Sequence, residues 1–169
     1  KDSRLHLLSS DFRPIASWDL PTPAYSIAQD VQGHIWIGTK GNGVIENTAP
    51  GRTLKPEFSP RIYRKSDEPY GMNGDLVYCI SPDGKDRLWI GSFDGNISYL
   101  DVSDKERRFI SSKNRIPFPT SQMDRIRFIT FSPNGKLFAC GRKGIFFCTA
   151  PDSEPELMRF ERFGDTQGY

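Results

Sequence analysis

Few residues in this 169-residue chain have the means to do chemistry. The two histidines, His6 and His34, stand 28 residues apart, and no CxxC or HExxH spacing exists to gather metal ligands. Glycoside hydrolysis needs two carboxylates at a set separation. The loop residues Asp75, Asp94 and Asp124 are carboxylates, but sequence alone does not pair them. No GxSxG elbow supplies a nucleophile. The glycine-rich stretch "GTKGNG" from Gly38 opens no helix, and its lysine, Lys40, precedes the loop glycines, so it does not match a phosphate cradle. His34 lies beside an expected hairpin turn and reads as an exposed polar residue. Cys79, Cys140 and Cys148 end or interrupt the apolar runs "LVYCI", "LFAC" and "GIFFC". They read as plain buried thiols, and their odd count gives no disulfide framework. No catalytic residue, metal site or cofactor is expected.

Charge narrows the partners. The 23 basic and 21 acidic residues are interleaved and leave a net +2. That balance gives no reason to expect nucleic acid or an anionic membrane surface. Arg61, Arg64, Arg107, Arg108, Arg159 and Arg162 lie along segments expected at outer edges, where charge discourages edge-to-edge association. No apolar run approaches the roughly 18 residues that span a bilayer, and no signal-peptide pattern opens the chain.

The elements that must position these residues come as a repeat. "GHIWIGTKGNG" at Gly33 has counterparts in "DRLWIGSFDGN" at Asp86 and "GKLFACGRKG" at Gly135. Aligned on Gly38, Gly91 and Gly141, the large rings Trp36, Trp89 and Phe138 fall 53 and 49 residues apart. Each copy has a strand-like run before it, a glycine turn and strand after it, and an apolar–basic closing segment. Four strands over about 50 residues is the pattern of a β-propeller blade. The near-continuous apolar runs fit middle strands covered on both faces. The glycines then read as scaffolding that admits a neighbouring backbone or ring. The chain is expected to be all-β: a single propeller fragment over residues 1–169, with a half blade at 3–19 and blades at 24–64, 76–111 and 125–163. That is about three and a half four-stranded blades of a seven-bladed ring.

"AYSIAQDVQGHIWIGTKGNGV" from Ala24 and "LVYCISPDGKDRLWIGSFDGNISYLD" from Leu76 resemble the two-component regulator propeller repeat. Asn73 matches the asparagine that precedes the first strand in that family. The third unit departs, with Phe138 for the tryptophan and one glycine fewer in its turn. The resemblance implies the periplasmic sensor region of a Bacteroidetes-type hybrid two-component histidine kinase, part of an inner-membrane protein. Such a region senses an oligosaccharide and signals across the membrane to control transcription, with no catalysis in the fragment itself. The alternative is a non-catalytic protein-docking propeller.

Propellers hold ligands over the central channel, on loops between blades and on each blade's second hairpin. The connections "KSDEPYGMNGDL" and "SSKNRIPFPTSQMDR" are long, and long connections are more often functional. The expected ligand contacts are Tyr70, Asn73, Asp75 and Arg125, with Lys40, Asn42, Phe93, Asp94 and Arg142 from the hairpins. The expected partners are an oligosaccharide and either the remaining blades of a parent chain or a second copy as a homodimer. The membrane is met only through the parent chain.

Overall fold

The computed structural model describes residues 3–48 and 58–164. Its strands are β1 (Arg4–Leu8), β2 (Pro14–Asp19), β3 (Ala24–Gln29), β4 (Ile35–Thr39), β5 (Val44–Asn47), β6 (Pro60–Tyr63) and β7 (Val77–Pro82). They continue with β8 (Arg87–Ser92), β9 (Asn96–Asp101), β10 (Phe109–Ser111), β11 (Phe128–Phe131), β12 (Leu137–Gly141), β13 (Gly144–Cys148) and β14 (Phe160–Arg162). A hairpin, β1–β2, precedes three four-stranded antiparallel sheets: β3–β6, β7–β10 and β11–β14. The one helical element among the described residues is a 3₁₀ turn at Pro155–Leu157. The chain is a partial β-propeller, as its repeat predicts.

The first hairpin of each sheet is built the same way. Asp30 Oδ1 accepts the backbone N–H groups of Gln32 and His34, each at 2.9 Å. Gly33 completes that turn at φ +88°, which costs a residue without a side chain little. Asp83 Oδ1 does the same for Lys85 and Arg87, at 2.8 and 3.2 Å. In the third sheet Ser132 Oγ takes over and accepts the N–H of Lys136 at 3.1 Å. Local turn chemistry thus sets where each apolar middle strand begins.

Sheets meet face to face through those middle strands. Trp36 is fully buried among Met72, Val77, Leu88, Ile90 and Leu100, between the first and second sheets. Trp89 is fully buried among Ile126, Ile129, Leu137 and Phe146, between the second and third. Phe138, the third ring in the series, points to the far face of the third sheet against Phe147 and is half-buried. Phe128 and Ile145 share that open face. The β1–β2 hairpin covers the near face of the first sheet through Leu5 and Leu20, which pack with Ile37 and Ile45.

Two glycines are fixed by this stacking. A Cβ on Gly38 would stand 2.8 Å from Val77 Cγ1, and one on Gly91 would stand 2.6 Å from Ile126 Cγ2. Each admits the first residues of the next sheet. Strand pairing corrects the third member of the series. Cys140 pairs with Phe128 and faces outward as Gly91 does, whereas Gly141 lies one residue later. Gly141 pairs with Gly144 around a turn of only Arg142 and Lys143. A Cβ on Gly141 would meet the carbonyl of Asp124 at 2.6 Å. The shorter turn moves the glycine one place along the chain.

Candidate functional site

Contacts between sheets concentrate on their first strands: β3 lies against β7, and β7 against β11. These strands are the innermost and line the propeller axis. At one end of them the between-sheet connections meet the second hairpins. The N–H groups of Gly41 and Gly43 donate to the carbonyl of Asp75, that of Phe93 to Leu76, and that of Arg142 to Asp124. Both loop sets therefore emerge on one face and together form the mouth of the channel.

The expected ligand residues divide there. Asn73, Asp75 and Asp94 are spent on loop construction. Asp94 accepts the N–H groups of Asp75 and Leu76 at 3.1 and 3.0 Å, and Asp75 Oδ1 accepts that of Lys65 at 2.6 Å. Asn73 Nδ2 donates to the carbonyl of Gly95 at 3.0 Å. Asn42 is buried and its Nδ2 has no partner. Lys40 is exposed on its hairpin. Arg142 donates to Asp124 Oδ2 at 3.0 Å, and Arg125 lies 4.4 Å over the ring of Phe93. Arg125 also holds a left-handed φ of 55°, a costly backbone for a non-glycine residue. Tyr70 goes elsewhere. Its carbonyl accepts the N–H of Phe109, and its ring lines outer clefts with Arg108, apart from the other eight.

Three residues that sequence reasoning missed complete the mouth. The pairing of β3 with β4 slips between Ala24 and Ser26, and that of β7 with β8 between Val77 and Cys79. Tyr25 and Tyr78 are the residues at those slips. Bulges re-aim side chains, and these two rings stack at 5.0 Å with only 3° between their planes. Phe93 tilts against Tyr78 at 5.8 Å, and Arg127 lies 5.5 Å over the Tyr78 ring. Arg127 precedes Phe128 as Tyr78 precedes Cys79, so the three positions are equivalent in successive sheets. The sequence did carry a signal: Tyr is the second residue of both "AYSIA" and "VYCIS". The result is an aromatic and cationic row across three inner strands, able to stack on a flat apolar face and donate hydrogen bonds beside it.

A second polar cluster lies inside the molecule, and it corrects two expectations. His34 is not an exposed turn residue: its side chain is 19% exposed, with Nδ1 3.3 Å from Glu46 Oε1 and 3.4 Å from Asp30 Oδ2. Arg107 is not a solvated edge charge. Its side chain is 9% exposed and meets Glu46, which is fully buried, at 2.5 Å. The hydroxyl of Tyr63 donates to Glu46 at 2.6 Å, and the indole of Trp36 to Asp30 at 2.8 Å. Arg107 also donates to the carbonyls of Val102 and Asp104. Burial and the Glu46 carboxylate push the Tyr63 phenol above its usual range. Burial opposes the Arg107 charge, but Glu46 outweighs it and holds the guanidinium firmly protonated. With Glu46 fully buried and Arg107 reaching it from the second sheet, this cluster clasps the second sheet to the first.

The thiols are free: Cys79 and Cys148 are buried, and Cys140 is partly exposed. Among the described residues no group of three or more His, Cys, Asp or Glu could hold a metal ion. No helix there is long and apolar enough to cross a membrane.

Comparison with known proteins agrees with this architecture. Residues 20–41 and 71–94 match the family model of the two component regulator propeller. No curated protein matches the chain. Among solved structures, the extracellular domain of a protein described as a hybrid two component system of B. thetaiotaomicron superposes with a TM-score of 0.62 at 16% identity. It covers 83% of this chain and 18% of that one. The extracellular domain of a protein described as a one component system of the same organism gives 0.61 at 16%, over 87% and 19%. The haem-handling enzyme dihydro-heme d1 dehydrogenase NirN gives 0.57 at 14%, over 97% and 34%. At these identities the likeness is one of fold. This chain spans under a fifth of the two B. thetaiotaomicron structures. With the propeller's strand order and the Asp-capped turns, residues 20–41 and 71–94 are two copies of the two component regulator propeller repeat within a partial propeller.

Proposed function

We propose that this chain is a ligand-sensing part of an extracytoplasmic sensor region, and that it holds an oligosaccharide at the channel mouth. The ligand-bound propeller would signal across the inner membrane, through the rest of a hybrid sensor kinase, to control transcription. The chain's own part is binding, without catalysis or cofactor. The observation that carries this reading is the Tyr25–Tyr78 stack, whose outer ring is 41% exposed at the mouth. An exposed, pre-ordered aromatic face beside hydrogen-bonding groups suits the apolar face of a sugar ring. The test is calorimetry of the intact protein with a panel of oligosaccharides. Tyr25→Ala is expected to weaken the best binder about tenfold, or about 1.4 kcal/mol, with little change in melting temperature. A panel without a binder, or a binder indifferent to Tyr25→Ala, would overturn the reading.

The open face of the third sheet bears on partners. Phe128, Phe138, Ile145 and Phe147 stand where the second sheet has a neighbour. Further blades of a parent chain, or a second copy in a homodimer, would cover it. Light scattering of the isolated 19.2 kDa chain tests the second of these: dimers at micromolar concentration are expected, and a stable monomer rejects them.

A further inference from the structure

We infer that the channel mouth selects acidic oligosaccharides over neutral ones, with Arg127 as the donor that takes the sugar's carboxylate or sulfate. The inference rests on the proposed oligosaccharide site and goes further by naming the charge of its ligand.

The argument starts from how the mouth's charges are used. Among the cations there are Lys40, Arg125, Arg127, Arg142 and Lys143, of which Lys143 donates to the carbonyl of Ser121 at 2.9 Å. Asp124 engages two of them, Arg142 at 3.0 Å and Arg125 at 4.0 Å. Asp94 spends both oxygens on the N–H groups of Asp75 and Leu76, and Asp75 takes that of Lys65. Arg127 is exposed and, among the described residues, has no carboxylate within 4.0 Å. Its contact is the Tyr78 ring at 5.5 Å. A guanidinium held over a ring in this way leaves N–H donors open to a ligand. A planar fork in that state matches a carboxylate or sulfate in a way an ammonium does not.

Position supplies the second argument. Tyr25, Tyr78 and Arg127 occupy the same place in three consecutive inner strands. Going around the axis, the series changes from ring to ring to guanidinium. A sugar stacked on the exposed Tyr25 face therefore has a fixed cation further along the same row. An extended acidic ligand can satisfy both contacts, whereas a neutral one leaves the Arg127 donors to water.

The experiment is calorimetry of the intact protein against matched pairs. Two pairs are acidic against neutral, oligogalacturonate with galactooligosaccharide and oligomannuronate with mannooligosaccharide, and a third, chondroitin disaccharide with and without sulfate, keeps its carboxylate in both members. At least one acidic member is expected to bind about tenfold tighter than its neutral partner, and to weaken as salt is raised. Arg127→Ala should bring that ligand down to about the level of the neutral partner while the neutral one loses far less, with Arg127→Lys recovering part of the difference. The chondroitin pair separates sulfate from carboxylate as the preferred anion. Neutral members binding as tightly as acidic ones, or an acidic preference that survives Arg127→Ala, overturns the inference. If neutral sugars bind as tightly as acidic ones and Tyr25→Ala weakens them, the channel-mouth reading stands while the charge preference falls. If no sugar binds, both fall.

Discussion

The two interfaces between successive sheets solve one packing problem with opposite chemistry. Trp36 and Trp89 are equivalent, and each pairs across its sheet with a residue that faces the next blade, Glu46 in one case and Tyr99 in the other. At the first interface Glu46 draws in Arg107 from the loop after β9, with Tyr63, His34 and Asp30 close by. At the second the ring of Tyr99 packs against Trp89, and the space fills with Ile116, Phe118, Met123 and Met158. The charge there is peripheral. Arg87 lies 4.6 Å over Tyr99 and donates to the carbonyls of Pro151 and Ser153. The large ring and the close glycine fix the stacking of the sheets, and the residue opposite the ring is free to vary so long as its polar atoms find partners.

The sharpest way to break the comparison is Arg107→Ala, which strands a fully buried carboxylate. A loss of about 3–5 kcal/mol is expected by chemical denaturation, and Arg87→Ala at the other interface should cost clearly less. If the two cost the same, the polar clasp is ornamental. Next comes the pair Trp36→Phe and Trp89→Phe. Both remove similar volume, but Trp36 also gives up its bond to Asp30, whereas Trp89 Nε1 has no partner to lose. The difference between them should be about 1.5–3 kcal/mol, with Trp36→Phe the worse. Gly91→Ala is expected to cost about 1–3 kcal/mol, because its Cβ would press on Cys79 Sγ and Ile126 at 2.6 Å. Cys140→Ala, at the equivalent outward position on the open face, should cost less than Gly91→Ala.

A further effect is an alkaline one, and it should reach the second interface first. Burial pushes the Cys79 thiol from its usual 9.0 up to about 12. The unfolded chain therefore ionises first, and stability falls as pH rises from 9.0 towards 12. Tyr63, raised by burial and by Glu46 from its usual 10.0, adds a fall at the first interface only above pH 10. Melting temperatures measured from pH 8 to 11 check the order. Cys79→Ala should flatten the early part of the slope and Tyr63→Phe the later part.

Strand positions were legible because their causes are local. An aspartate that holds the N–H two and four residues on, a glycine turn and an apolar run are all readable in one short window. The burial of Trp36 and Trp89 followed from the repeat. The clasp was not legible because Arg107 answers a carboxylate 61 residues away, and nothing near it in sequence marks it as different from Arg108. Tyr70 was misleading for a related reason. Its connection folds outward to bond β10, although its other end, at Asn73 and Asp75, reaches the channel. The aligned glycine of the third unit slipped because its turn is shorter. The row at the mouth was half legible: two tyrosines stand at one repeat position, but the bulge that aims them is a property of pairing.

The order of strands within each sheet also bears on how the protein is made. Every ladder joins strands that are neighbours in sequence, so no strand waits for a partner encoded far downstream. As the chain leaves the ribosome, each sheet can close once its own fourth strand emerges, and low sequence separation favours rapid closure. What remains exposed meanwhile is a single apolar face, awaiting the next sheet about 50 residues later. A growing chain of this design carries one sticky end rather than many, which limits misassembly during synthesis.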